Sequence, residues 1–192
     1  MGHACQAGAS LAAYDAAMKM RQGFTMIELL VAMGVAGILA AIAIPAFNTF
    51  VMNNRDAQQI NSLALSFNYA RSEAVKLNTP VGVQVCPSSD QLTCNGPANG
   101  WKDGWVVLDM STNRVIQAVP ALAGPNVITA AGTGANSVTF KSNGTVVGSA
   151  QIKICDPRGG SFARDVEVSP VGSISSSQTA GKSATNVALV CP

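Results

Sequence analysis

One carboxylate, Glu28, stands inside the otherwise uncharged apolar run Phe24–Ile44. An acidic side chain at the centre of a bilayer-spanning helix costs about 2.5–3.5 kcal/mol on insertion scales, so such a residue marks a function and calls for a cationic partner. Gly23 and Phe24 lie just ahead of it, and Lys19 and Arg21 just ahead of them. The second reactive set is sulfur. Of five cysteines, Cys5 precedes the apolar run, while Cys86, Cys94, Cys155 and Cys191 follow it, an even set suited to disulfides in an oxidising compartment. Cys86 with Cys94 would close a short turn-rich loop, and Cys155 with Cys191 would tie down the carboxy terminus. The similar approaches Val83-Gln84-Val85-Cys86 and Ile152-Lys153-Ile154-Cys155 leave a pairing between neighbouring strands open.

Catalytic chemistry is poorly supplied. The only histidine is His3, so none follows the apolar run to serve a Ser or Cys nucleophile or to complete a usual zinc site. Asp156 with Asp165 or Glu167 could form a carboxylate dyad by spacing, but solvated strand ends explain them more simply. No Gly-rich phosphate loop follows a strand and opens a helix, so Arg158-Gly159-Gly160 reads as a turn. The expectation is a protein without enzymatic activity, metal or cofactor.

The elements that must position these residues follow from patterning. A run as long and apolar as Phe24–Ile44 is a transmembrane helix candidate, since roughly 20 residues at about 1.5 Å each cross a bilayer core. An ordinary signal anchor or a buried helix of a soluble protein would be the bland alternatives. Past Pro45 the pattern becomes one-sided. Ile60, Leu63, Phe67, Ala70, Ala74 and Leu77 recur in steps of three and four on one helix face, while Arg55, Asp56, Gln58, Asn61, Arg71 and Lys76 point elsewhere. Pro45 should bend the helix without ending it, and Asn78-Thr79-Pro80 stops it. One helix from Phe24 to Leu77 would be about 80 Å long.

Downstream, short β-branched runs separated by Gly, Pro, Asn and Ser predict strands at Val81–Cys86, Trp105–Asp109, Arg114–Val119, Asn136–Phe140, Thr145–Val147, Gln151–Cys155, Arg164–Val168 and Val187–Val190. Asn143-Gly144 predicts a hairpin turn with positive φ at both residues. Ser173–Ser183 predicts a flexible loop. Composition agrees: 48% hydrophobic and 11% charged residues in a chain of 192 suit a membrane anchor joined to one Gly-, Ser- and Thr-rich β domain. The formal charge of +2 gives no general reason to expect a nucleic-acid partner.

The order Lys19, Arg21, Gly23, Phe24, Thr25, Glu28, apolar run, Pro45 resembles the leader and cleavage site of type IV prepilins and type II secretion pseudopilins. The resemblance implies that a prepilin peptidase cuts between Gly23 and Phe24 and methylates the new amine of Phe24. It also implies that Glu28 neutralises a neighbouring subunit's amine during assembly and that Pro45 kinks the helix. Residues 1–23 would be the leader, with Met18 an alternative start. Residues 24–45 would be the transmembrane or filament-core half of the helix, and 46–192 the periplasmic or extracellular domain.

That domain is similar to the GspH/FimT family of minor pilins and pseudopilins. The resemblance is carried by Tyr69-Ala70-Arg71-Ser72-Glu73-Ala74, Trp101-Lys102-Asp103-Gly104-Trp105, Phe140 with Asn143-Gly144, Ile154-Cys155, and Val166-Glu167-Val168-Ser169 leading to Gly172. The closing Cys191 after Cys155 looks like FimU-type minor pilins, in which a disulfide joins such cysteines. The implied fold is α+β and pilin-like, a long amino-terminal helix packed on an antiparallel sheet. The implied function is entry into, or capping of, a type IV pilus or type II secretion pseudopilus. Implied partners are other pilins, the prepilin peptidase and an inner-membrane assembly platform, with membrane lipid before assembly. The implied location is the bacterial inner membrane, single-pass, with the domain in the periplasm and then in a filament.

A DNA receptor of the FimT type is the alternative. At the place of that subgroup's Gly-Arg-x-Arg motif this chain reads Gly172-Ser173-Ile174-Ser175. Arg158 and Arg164 are then the candidate DNA contacts. Lys141, Lys153, Arg158 and Arg164 stand against Asp156, Asp165 and Glu167, too dilute a charge for strong phosphate binding.

Overall fold

A computed structural model describes residues 23–97 and 99–191. Residues 1–22, including Lys19 and Arg21 of the expected leader, lie outside that set. The chain divides into two compact units, the first ending at Phe47 and the second beginning at Asn48.

The first unit is helical. Helix α1 spans Met26–Leu77 and continues through Pro45. It begins two residues later than Phe24 because Thr25 caps it. Residues 23–47 are exposed, and among the described residues α1 is the one helix long and apolar enough to cross a membrane.

In the second unit, the later turns of α1 meet two four-stranded sheets. The strands are β1 (Val83–Pro87), β2 (Gly104–Asp109), β3 (Arg114–Pro120), β4 (Val127–Ala131), β5 (Val138–Phe140), β6 (Ala150–Cys155), β7 (Arg164–Val168) and β8 (Ile174–Ser176). The sheet orders are β3-β2-β1-β5 and β4-β6-β7-β8, with antiparallel pairing throughout. Ile60, Leu63, Phe67, Ala70 and Ala74 of α1 share one core with Val83, Val85, Trp105, Val107, Val138 and Phe140 of the first sheet. Ile152, Ile154, Val166 and Val168 of the second sheet complete it. Trp101 and Trp105 are fully buried, and each has its indole N–H satisfied. Trp101 donates to the Ala135 carbonyl at 3.0 Å and Trp105 to Ser66 Oγ at 2.9 Å. They are packing residues, as aromatic bodies with polar handles are when enclosed.

Several local expectations are corrected. Two sheets replace the single one. Thr145–Val147 supplies one bridging pair, Phe140 with Val146, and Val187–Val190 is no strand, leaving only the bridge Lys182 to Ala188. At Asn143-Gly144 only the glycine has positive φ, at 77°. Gly144 N donates to the Lys141 carbonyl and Lys141 N to the Thr145 carbonyl, a three-residue hairpin loop closed by an αL glycine in place of a two-residue turn. Ser173–Ser183 is not a plain loop: Ile174–Ser176 is the edge strand β8, and Ser177 binds the Asp165 backbone through both its N and its Oγ. Serine satisfies backbone groups locally, so a low-complexity run can be well ordered. β4 escapes the pattern because Val-Ile-Thr-Ala-Ala has little apolar contrast.

Cys86 is bonded to Cys94 across 8 residues and Cys155 to Cys191 across 36. Cys155, Ala163, Leu189 and Cys191 form a small satellite core that the second bond closes. Replacing Cys155 and Cys191 together by serine should cost about 2–4 kcal/mol, and roughly 1 kcal/mol more than the same change at the shorter loop, because loop-closure entropy grows with loop length. Thermal unfolding of the full chain in detergent reads this, and an equal or reversed order would contradict it.

Candidate functional site

Two groups of residues carry the candidate chemistry, one in each unit. At the amino-terminal junction, Thr25 Oγ1 accepts from the Glu28 N–H at 3.2 Å, and the Thr25 carbonyl accepts from Leu29 N at 3.2 Å. Thr25-x-x-Glu28 is thus an N-cap with an acid at the third helical position, where the helix dipole favours negative charge. The cap fixes the first turn, and with it the place from which Glu28 projects. Phe24 and Glu28 are exposed, and Gly23, Phe24, Thr25 and Glu28 line one shallow recess. Among the described residues, a Cβ added to Gly23 would meet nothing within 4 Å, so they impose no steric need for glycine there.

The second group joins the start of the globular part of α1 to the loops at one end of the second sheet. Arg158 grips Asp156 with Nε to Oδ1 at 2.7 Å and Nη2 to Oδ2 at 2.8 Å, and Nη2 also reaches Asp56 Oδ2 at 3.4 Å. Its guanidinium lies 4.1 Å from the Phe162 ring centroid. Asn126 donates to Asp56 Oδ1 at 2.7 Å and to Gln59 Oε1 at 2.9 Å, and accepts from Arg55 at 3.2 Å. The carboxylates are enclosed, with side-chain exposures of 2% for Asp56 and 0% for Asp156. A dyad closed to water has no room for a substrate, so this cluster is architecture.

Asp156 does not pair with Asp165 or Glu167. Asp165 accepts from Gln151 Nε2 at 2.7 Å and Ala184 N at 3.0 Å. The expectation that Asp56 points away from the sheet is corrected: it lies one turn before Ile60 on the buried stripe. That four-residue spacing was the available signal, masked by the charge.

Asp56 and Asp156 titrate in opposite senses. Burial pushes the Asp56 carboxyl above its ordinary 3.8. The hydrogen bonds from Arg158 hold Asp156 down at about 2. Asp156 therefore contributes stability that is complete above 3.8 and lost as pH falls towards about 2. Asp56 contributes stability that is complete below 3.8 and lost as pH rises through its folded value, and Glu167, raised chiefly by burial from 4.5, acts in the same sense. Acidification from neutral pH should first raise and then lower the unfolding temperature. Asp56→Asn should shrink the rise and leave the fall. An unchanged rise in a calorimetric pH series would refute the assignment.

The arginines offered as DNA contacts are both engaged by the fold. Arg158 is spent as described, and Arg164 donates to the Ser177 and Gln178 carbonyls at 3.3 and 3.5 Å. The DNA alternative gains no support from either.

An apolar amino-terminal helix, capped with an acid in its first turn and continued into an antiparallel β domain, defines the pilin-like class. Within it, the chain belongs to the family of the type II transport protein GspH, whose profile matches residues 59–172, and it carries the prokaryotic N-terminal methylation motif over residues 18–44. It is similar to the type IV major fimbrial protein FimA of Dichelobacter nodosus, 40% identical over 78 residues, which are 41% of this chain and 39% of that one. Similarity to the pilin-like protein PilA1 of Thermus thermophilus is 40% over 67 residues, 34% of this chain and 40% of that one. These matches thus span about two fifths of each relative's length. In fold it is similar to the type IV minor pilin FimU of Pseudomonas aeruginosa, with a TM-score of 0.50 at 20% identity, covering 68% of this chain and 98% of that one.

Proposed function

We propose that this chain is a minor pilin or pseudopilin that works as a structural filament subunit. A prepilin peptidase removes residues 1–23 and methylates Phe24. The helix of 24–45 holds the protein in the inner membrane, single-pass, with 46–192 in the periplasm. An inner-membrane platform then moves it from lipid into a filament of other pilins, with Glu28 facing a neighbour's amine and the helix yielding at Pro45.

The observation that carries this reading is the continuity of two signals on one helix. The methylation motif of 18–44 opens α1, and the family domain from residue 59 begins on the same element. An exposed apolar helix needs a solvent other than water, and lipid followed by like helices supplies it.

Intact-mass spectrometry of the membrane-extracted protein tests the first step. The expected species starts at methylated Phe24, and only in cells with an active prepilin peptidase. A retained leader, or a cut further along the chain, would contradict the reading. Gly23→Ala should block or strongly slow the cut. Because the fold leaves the glycine's surroundings open, that loss would report the enzyme's demand and not a folding defect.

A further inference from the structure

Three stretches that carry the family resemblance meet at one place, and the filament reading leaves it unused. They are Arg71 in Tyr69-Ala70-Arg71-Ser72-Glu73-Ala74 of α1, Gly144 in the hairpin loop after β5, and Gly172 in the turn before β8. Val146 N donates to the Pro170 carbonyl at 2.9 Å and ties the two turns together, and Gly172 N closes its own turn on the Ser169 carbonyl at 2.8 Å. Both glycines are buried and have positive φ, at 77° and 83°. A Cβ at Gly172 would collide with the Gly144 carbonyl oxygen, so the turns nest only while that position is glycine. The Arg71 side chain lies over the seam. A Cβ built at Gly144 would stand 3.2 Å from its Nε, and one at Gly172 would stand 3.4 Å away.

This seat fixes the guanidinium without using it. Arg71 is exposed, and among the described residues it makes no hydrogen bond and no ion pair. Glu73, the nearest acid along α1, is paired with Lys76 at 3.3 Å. The helix end does not claim Arg71 either, because it lies more than a turn before Leu77 and the dipole acts within the last turn. Lys141, which begins the same hairpin loop, is exposed, as are Val75 beside Gly144 and Val171 beside Gly172, at 51% and 71%. A guanidinium is a planar fork of donors that matches a carboxylate at two points. One already held by packing loses less freedom when it binds. Set between exposed valines, it has the make-up of an interface anchor.

We propose that Arg71 receives, at two points, an aspartate or glutamate carboxylate of a different pilin packed over Val75 and Val171. That the neighbour is a different pilin rests on the reading of this chain as a minor subunit; the carboxylate rests on the unpaired fork. Protein is favoured over nucleic acid, because affinity for a phosphate backbone grows with the number of phosphates neutralised, and here Arg71 and Lys141 stand among apolar side chains.

A benzoyl-phenylalanine photocrosslinker at position 171 of the full-length, processed chain tests the contact. After illumination of sheared filaments, mass spectrometry should map the adduct to a peptide of a different pilin that contains Asp or Glu. Arg71→Glu should lower the yield by roughly tenfold, as loss of an interface anchor does, and Arg71→Lys by less, since an ammonium keeps the charge but not the fork. Arginine in place of one acid of the mapped peptide should restore the yield of Arg71→Glu. An adduct to a second copy of this chain, to nucleic acid or to a peptide without an acid would overturn the proposal. So would no adduct from a chain present in filaments, a yield indifferent to Arg71→Glu, or no rescue at any acid. Because Arg71 makes no bond, Arg71→Glu should unfold at the wild-type temperature; if it does not, Arg71→Gln, which removes the charge and keeps most of the length, is read in its place. If the chain is absent from filaments, the filament-subunit reading fails, and illumination of the membrane-embedded protein decides the contact. The same charge-dependent adduct there upholds it, and any other result overturns it.

Discussion

On the proposed pairing of Glu28 with a neighbouring subunit's amine, Glu28→Ala should leave the proposed cut between Gly23 and Phe24 intact and lower recovery of the chain in filaments by roughly tenfold or more, because an ion pair buried in a filament that loses one partner leaves the other charge uncompensated. The structure separates this from a folding effect. Thr25 Oγ1 caps the helix through the backbone N–H of residue 28, which alanine retains. The first turn therefore survives the substitution, and what disappears is the carboxylate. Glu28→Gln sharpens the comparison, since glutamine suits the third position of a capping box as well as glutamate does but carries no charge. Failure of both variants to enter filaments would identify the charge as the requirement. Normal incorporation of Glu28→Gln would assign the residue to the cap, and normal incorporation of Glu28→Ala would remove it from assembly altogether. Immunoblots of sheared filaments against membrane fractions read all three outcomes.

How much of this was legible beforehand depended on the range of the interactions. The junction is local, with Gly23, Phe24, Thr25 and Glu28 adjacent in the chain, and the apolar run behind them has a length set by a bilayer. The stripe Ile60, Leu63, Phe67, Ala70, Ala74 and Leu77 is likewise a single-helix periodicity; the first five are buried, whereas Leu77, at the last turn and beyond the reach of the sheets, is exposed. Strands β2 and β7 fall where β-branched runs predict them. The second polar cluster was not legible, because it is assembled from Asp56 on the helix, Asn126 before β4 and Asp156 after β6. No periodicity links such distant positions to one another, and Asn126 and Asp156 alone read as solvated polar groups. The Ser-rich stretch misled for the opposite reason. Its order comes from hydrogen bonds between Ser177 or Ser183 and nearby backbone, which composition does not display. The split into two sheets depends on strand order, which short strands of similar composition leave undetermined.

Arg158→Ala should be the most damaging single substitution in the globular unit outside the core. Asp156 is fully enclosed and receives two bonds from this guanidinium, and Asp56 receives another. Removing one partner of a buried pair costs about 3–5 kcal/mol. For a chain of this size that is roughly 10 °C in unfolding temperature. Arg158→Lys should fall between wild type and alanine, since an ammonium keeps the charge but cannot match a two-point carboxylate contact or stack on Phe162. Asp156→Asn in the Arg158→Ala background should recover part of the loss, because it removes the stranded charge. Arg164→Ala gives the control. Its bonds to the Ser177 and Gln178 carbonyls are long, at 3.3 and 3.5 Å, and partly solvated, so its loss should stay within about 1 kcal/mol. The same pair of variants bears on nucleic acid. Arg158 is held by two carboxylates and Arg164 stands alone with two long carbonyl bonds, too little charge for a phosphate backbone, so a fluorescence titration of the full chain in detergent with double-stranded DNA should show no affinity that either substitution reduces. An Arg158→Ala protein that unfolds within about 2 °C of wild type would show the cluster to be dispensable, whatever its geometry.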